Sequence, residues 1–188
     1  MKTFKPNISI KLLVLCAIFL FSGQAYALLI DPAITAFELS GNETGQAQID
    51  ATLDAFFDPD LIELYKMNVG GPESGALQGS YETTFSNSPS DPADADIVYM
   101  GGDFVGPVAR LLVKDGNQSP AWYLYNLTVL GWDGMATLEL ENFWPNQGAI
   151  SHVSLYGTQS VPEPATAFLV GLGLIGIVAI GKKRIFKK

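Results

Sequence analysis

The pattern of apolar and polar positions divides the chain into three stretches. Residues 12–21 form an unbroken apolar run of ten, and residues 165–181 form a second run without a charge. Between them the alternation is short-ranged. From residue 79 onward it has the period of strands separated by turn-forming clusters. Strands are expected over residues 79–86, 95–100, 108–114, 121–129, 136–141 and 149–156. The cleanest is 136–141, where Ala136, Leu138 and Leu140 point inward and Thr137, Glu139 and Glu141 outward. Asp115-Gly116 closes the 108–114 strand with a hairpin signal. Gly101-Gly102 and Trp132-Asp133-Gly134 read as turns, and residues 87–94 as a polar, proline-bearing loop.

The stretch before residue 79 is less regular. Strands are expected over residues 33–40 and 61–69, with a turn at Gly41-Asn42-Glu43-Thr44-Gly45. Residues 46–57 place Ile49, Leu53 and Phe56 or Phe57 at helical spacing, and Asp58-Pro59-Asp60 ends that helix. Six to eight short strands with one short helix predict a mainly β fold, an antiparallel β-sandwich, with a jelly-roll strand order as one option.

The first apolar run has the setting of a secretory signal. Lys2, Lys5 and Lys11 precede it, and Ala25-Tyr26-Ala27 is an A-x-A cleavage site, so residues 1–27 are expected to direct export through the Sec translocon and to be removed by signal peptidase. Cys16 is the only cysteine and lies within that segment, after a bulky Leu15 that does not suit lipidation. The mature chain is then left without disulfide, thiol nucleophile or cysteine metal site. Residues 28–160 have the length of one domain, whose core must hold without a covalent staple.

The second run is of membrane length. Its 17 residues would span about 26 Å as a helix, the short end of the transmembrane range. Lys182, Lys183, Arg184, Lys187 and Lys188 follow and are expected to stay cytoplasmic, which puts Pro162-Glu163-Pro164 outside. The two prolines make that tripeptide stiff and extended, with Glu163 as its one charge. Gly171-Leu172-Gly173-Leu174-Ile175-Gly176 fits G-x-G-x-x-G but lies inside the apolar run, so it reads as a slim helix face rather than a nucleotide site.

Motif, apolar helix and basic end, in that order over residues 161–188, resemble the PEP-CTERM sorting signal of bacterial surface proteins. Pro162, Glu163 and Pro164 match its motif residue by residue. The resemblance implies recognition by exosortase, a membrane-embedded cysteine peptidase, in a Gram-negative bacterium that exports exopolysaccharide. It implies an inner-membrane-anchored precursor with a periplasmic ectodomain, then a place in the cell envelope or the extracellular (biofilm) matrix. The stretches Lys114 to Leu124, Trp132-Asp133-Gly134, Phe143-Trp144-Pro145 and Gly148 to Gly157 also look like a domain recurrent among PEP-CTERM proteins, over roughly residues 75–157. That second resemblance brings no activity with it.

Charge narrows the partners. Between Leu28 and Ser160 there are 18 acids against three bases, Lys66, Arg110 and Lys114, a net of −15. Such a domain is repelled by nucleic acid and by anionic lipid. Asp91, Asp94 and Asp96 crowd one loop and are candidates for calcium, against the alternative of a solvated loop. Trp122, Tyr123, Tyr125, Trp132 and Trp144 are candidates for stacking on glycan rings, such as those of an exopolysaccharide, against the alternative of core packing. His152 is the only histidine, and a strand there points it away from Ser151, so no triad is legible. No enzyme is expected, and no cofactor beyond the calcium candidate. The expected role is structural or interactive, with a glycan-binding module as the alternative and a calcium-dependent adhesin or a hydrolase behind it.

Overall fold

The computed structural model describes residues 26–57, 61–86, 92–145 and 148–160. Along them run β1 (Ala27–Ile30), β2 (Leu39–Gly41), helix α1 (Gln46–Phe56), β3 (Ile62–Asn68), β4 (Glu73–Ser74), β5 (Tyr81–Phe85), β6 (Ala95–Tyr99), β7 (Phe104–Asp115), β8 (Trp122–Asn126), β9 (Thr137–Leu140) and β10 (Ile150–Ser160). They build a four-stranded sheet, β1-β9-β6-β5, and a six-stranded sheet, β2-β8-β7-β10-β3-β4.

The two sheets share one hydrophobic core. Ile30, Tyr81, Ile97, Leu138 and Leu140 come from the smaller sheet, and Tyr65, Leu111, Val113, Tyr125, Val153 and Leu155 from the larger. The larger sheet is also covered on its outer face. There Ile49 and Leu53, one helical turn apart on α1, pack on Leu112, Trp122, Leu124 and Tyr156. Coverage on both faces explains why Leu111 to Asp115 of β7 are all buried, whereas β5 and β9 keep alternating burial.

Helix α1 falls where its spacing predicts. Gln48 turns back to accept the Gly45 amide at 3.3 Å, and Phe57 closes the last turn by donating to the Leu53 carbonyl at 2.8 Å. The expected antiparallel arrangement needs one correction, because β1 pairs with β9 in parallel, Ala27 opposite Thr137 and Ile30 opposite Leu140. These two strands lie far apart in the chain, so no turn dictates their relative sense. β1 itself carries no alternation long enough to be read from sequence.

Other boundaries move for local reasons. Of residues 33–40 only the end is strand. Pro32 has no amide to give a ladder, and the Asp31 carboxylate accepts the Ala33 amide at 2.8 Å to hold a turn instead. Gly41 belongs to β2, where any Cβ would collide with the Trp122 ring. β8 stops at Asn126, whose side chain caps the next turn by accepting the Val129 amide at 3.1 Å. β7 starts four residues earlier than expected. β10 runs on to Ser160 through a register shift between Gly157 and Gln159. Among the described residues, no helix is long and apolar enough to cross a membrane; the apolar runs 12–21 and 165–181 lie outside them.

Candidate functional site

Three surfaces and one tail hold the residues singled out by sequence. The tail motif Pro162-Glu163-Pro164, the apolar run after it and the basic residues Lys182, Lys183, Arg184, Lys187 and Lys188 lie outside the described residues, as does Ala25. What the fold supplies is the base of the tail. β10 is an interior strand, bonded to β7 on one side and β3 on the other. Its pairing with β7 reaches Gln159 opposite Val105 and Ser160 opposite Phe104. Only Val161 separates the last paired residue from Pro162. At the other terminus Ala27, the last residue of the expected signal, is the first residue of β1.

The aromatic candidates divide. Trp122 and Tyr125 are fully buried and Trp132 nearly so. Trp122 lies under α1 and donates from Nε1 to the Glu43 carboxylate at 3.0 Å. Trp132 donates to the Ala136 carbonyl at 2.7 Å. Trp122 and Tyr125 point to opposite faces of β8, and both faces are covered, so neither is presented to a ligand. Tyr123 and Trp144 are only half-buried. Their rings lie 5.4 Å apart, and the exposed Phe37 extends the row, 5.2 Å from Tyr123. Trp144 is held with φ at +48°, a costly backbone state for a bulky residue, and donates from Nε1 to the Pro120 carbonyl at 3.0 Å. Phe37 was not legible as a partner. It lies in an irregular segment and meets Tyr123 only because β2 pairs with β8.

The acidic candidates line a cleft of about 410 Å³ on the smaller sheet. Asp94 and Asp96 are joined there by Glu139 and Glu141. Asp96 and Glu139 are direct cross-strand partners. Asp94 accepts the Asn142 amide at 2.9 Å, and Asn142 has φ at +60°. Asp91 lies outside the described residues. Among the described residues no three His, Cys, Asp or Glu side chains are arranged to hold a metal ion. Alternation along the sequence gives Glu139 and Glu141 only as outward positions, and it is the pairing of β6 with β9 that sets Glu139 opposite Asp96.

His152 occupies a third place, on the outer face of β10. Lys114 stands opposite it on β7 and Lys66 stands opposite Ser154 on β3. His152 is 7% exposed and Ser154 is fully buried. Neither His152 Nε2 nor Ser154 Oγ has a hydrogen-bond partner in the protein, so the bond a serine–histidine relay requires is not made. Ser151 turns away and donates to the Lys114 carbonyl at 3.0 Å. Burial pushes the imidazole down to about 3, and the charges of Lys66 and Lys114 add to that. Burial also lowers the Lys114 ammonium, which donates to the Asp115 carbonyl at 2.9 Å. The neighbouring network fixes α1 to the sheet. Lys66 donates to Gln46 Oε1 at 2.6 Å, and Tyr156 Oη donates to Glu63 at 3.2 Å while accepting from Gln46 at 3.1 Å. Arg110, the third base, pairs with Glu38 at 2.7 Å and covers the Phe57 ring at 4.1 Å. Lys66 and Arg110 thus have structural partners at α1 or its C-cap, and Lys114 has its own at the Asp115 carbonyl.

No curated protein and no solved structure matches this chain. Residues 160–184 match a family model, the PEP-CTERM protein-sorting motif. The match begins at the last residue of β10 and takes in Pro162, Glu163 and Pro164. The motif implies an exported, membrane-anchored precursor in a Gram-negative bacterium, processed by exosortase, a membrane protease. The β-rich body leads directly into those residues, and the chain thus carries a PEP-CTERM sorting motif at its C-terminal end.

Proposed function

We propose that this protein is a structural or interaction component of the cell envelope or extracellular matrix, delivered there by exosortase. In this reading residues 1–27 direct export and are removed after Ala27. Residues 165–181 halt transfer in the inner membrane with the basic end inside, and cleavage near Pro162-Glu163-Pro164 frees the two-sheet body. The observation that supports it is the sorting motif at residues 160–184. The test is the intact mass and fractionation of the protein from its own host, with and without exosortase. The C-terminal run should be lost only when the enzyme is present. Glu163→Ala, or deletion of Lys182 to Lys188, should leave precursor in the inner membrane. Unchanged maturation of both variants would overturn the reading.

A second reading, glycan binding, is favoured by the row Phe37, Tyr123 and Trp144. Its rings are partly exposed, closely spaced and suited to stacking on sugar faces. A titration of soluble exopolysaccharide followed by tryptophan fluorescence should quench or shift the Trp144 signal. Trp144→Ala should abolish that response, and a response that survives the substitution would sink the reading.

A further inference from the structure

Both ends of the described body emerge on the same side. β1 begins with Ala27 opposite Thr137, the first residue of β9. β6 runs antiparallel to β9, so its far end, Tyr99 and Met100, lies at the start of β9. The Tyr99 ring meets Phe104, 6.3 Å away, and Phe104 is the cross-strand partner of Ser160. Gly134, just before Met135, packs so closely on Phe104 that a Cβ would strike its ring. The start of β1 and the exit at Ser160 therefore belong to one end of the molecule.

That end is rich in exposed apolar side chains. Val129 is 80% exposed, Met100 59%, Ile62 53%, and Val108 and Met135 45% each. Ile62 stands opposite Gly157 on β10. Thr128, beside Val129 in the chain, donates to the carbonyl of Pro107, the residue before Val108, at 2.7 Å. The opposite pole exposes the hairpin residues Asn117 and Ser119 and one strongly exposed apolar side chain, Ile34, which is 75% exposed.

Chain length then sets what this end faces. The apolar run begins at Ala165, five residues after Ser160. Five residues reach about 17 Å at full extension, of which the headgroup layer takes about 5–7 Å. We infer that this end is a docking surface for the bilayer, which the precursor rests on lipid headgroups through Val129, Met100, Met135 and their neighbours. The inference rests on the proposed tail reading, that residues 165–181 enter the membrane. The occupant is the lipid surface rather than a protein, because the tether leaves little room for anything between. Asp133 at this end uses its carboxylate to accept the Met135 and Ala136 amides at 2.9 and 2.7 Å. The body as a whole is acidic, so contact depends on the tether and apolar atoms, not on attraction to anionic lipid.

The test uses the full chain with Cys16→Ser and one introduced cysteine at a time: Val129→Cys, Asn117→Cys or Val170→Cys. Each is labelled with an environment-sensitive nitrobenzoxadiazole and reconstituted in phosphatidylcholine vesicles carrying doxyl groups at shallow or deep positions. The Val170 label should lose emission to deep doxyl groups, the Val129 label to shallow ones, and the Asn117 label to neither. A quenched Val170 label with equal responses at positions 129 and 117 would overturn the docking surface and leave the tail reading standing. An unquenched Val170 label would overturn both.

Discussion

Tyr65 on β3 and Thr83 on β5 place their hydroxyl oxygens 2.7 Å apart. They stand in different sheets, so this buried hydrogen bond spans the core. Burial raises the Tyr65 phenol to about 12, which keeps it protonated and able to donate. Tyr81 makes a similar tie, donating to the Gly134 carbonyl at 2.8 Å and accepting the Val105 amide at 2.9 Å. A body without disulfides uses such polar links to fix how its two sheets face each other.

Tyr65→Phe leaves the Thr83 hydroxyl without this partner in the core. The expected loss is about 1–3 kcal/mol, because a stranded buried polar group costs its full desolvation. Urea unfolding measures it. Adding Thr83→Val should recover part of the loss. If the double variant is less stable than the sum of the two single ones, the pair is not coupled as described.

His152 makes stability fall in acid. Its folded value, about 3, lies below that of an unfolded histidine. The unfolded chain therefore takes up a proton first as pH drops. The contribution is fully present above about pH 6.5 and is lost as pH falls through the window down to about 3, at about 1.4 kcal/mol per pH unit. His152→Gln should flatten this part of the profile relative to the parent. Parallel curves from pH 7 to pH 4 would show that the imidazole is not held neutral.

Gly157 marks where β10 bends toward its exit. Its φ is +153°, and a Cβ would fall on the Val108 carbonyl oxygen. Gly157→Ala should cost about 2–5 kcal/mol, from strain and overpacking against backbone that cannot yield. Exchange of the Val105 amide gives no local readout, since Tyr81 holds it. A lowered urea midpoint does, and an unchanged midpoint would mean that the bulge is not needed.

Asp96 faces Glu139 across the β6–β9 ladder. Like charges directly opposite destabilise a sheet. Asp96→Asn should raise the melting temperature slightly in low salt, and the gain should shrink as salt screens the pair. A loss of stability at low salt would show that the carboxylate makes a favourable contact instead.

Some of this architecture was legible because its signal is contiguous. Pro162-Glu163-Pro164 needs only neighbours in the chain, and so do the apolar run and basic residues that follow. Ile49 and Leu53 announced α1 because helical spacing is local, and Leu138 and Leu140 announced the inward face of β9 for the same reason. Alternation could not say which face of β8 meets solvent, since that depends on α1 covering Trp122 and on the second sheet covering Tyr125. The sense of the β1–β9 pair, the meeting of Phe37 with Tyr123, and the gathering of Asp96 with Glu139 likewise lie between segments distant in sequence. Composition and local period set which elements form and where the chain is sent. Closure of the two sheets on one core decided which aromatic rings were buried, which carboxylates became neighbours, and that Ala27 and Ser160 leave from one end. Burial and strand pairing belong to the assembled chain, and no short stretch carries them alone.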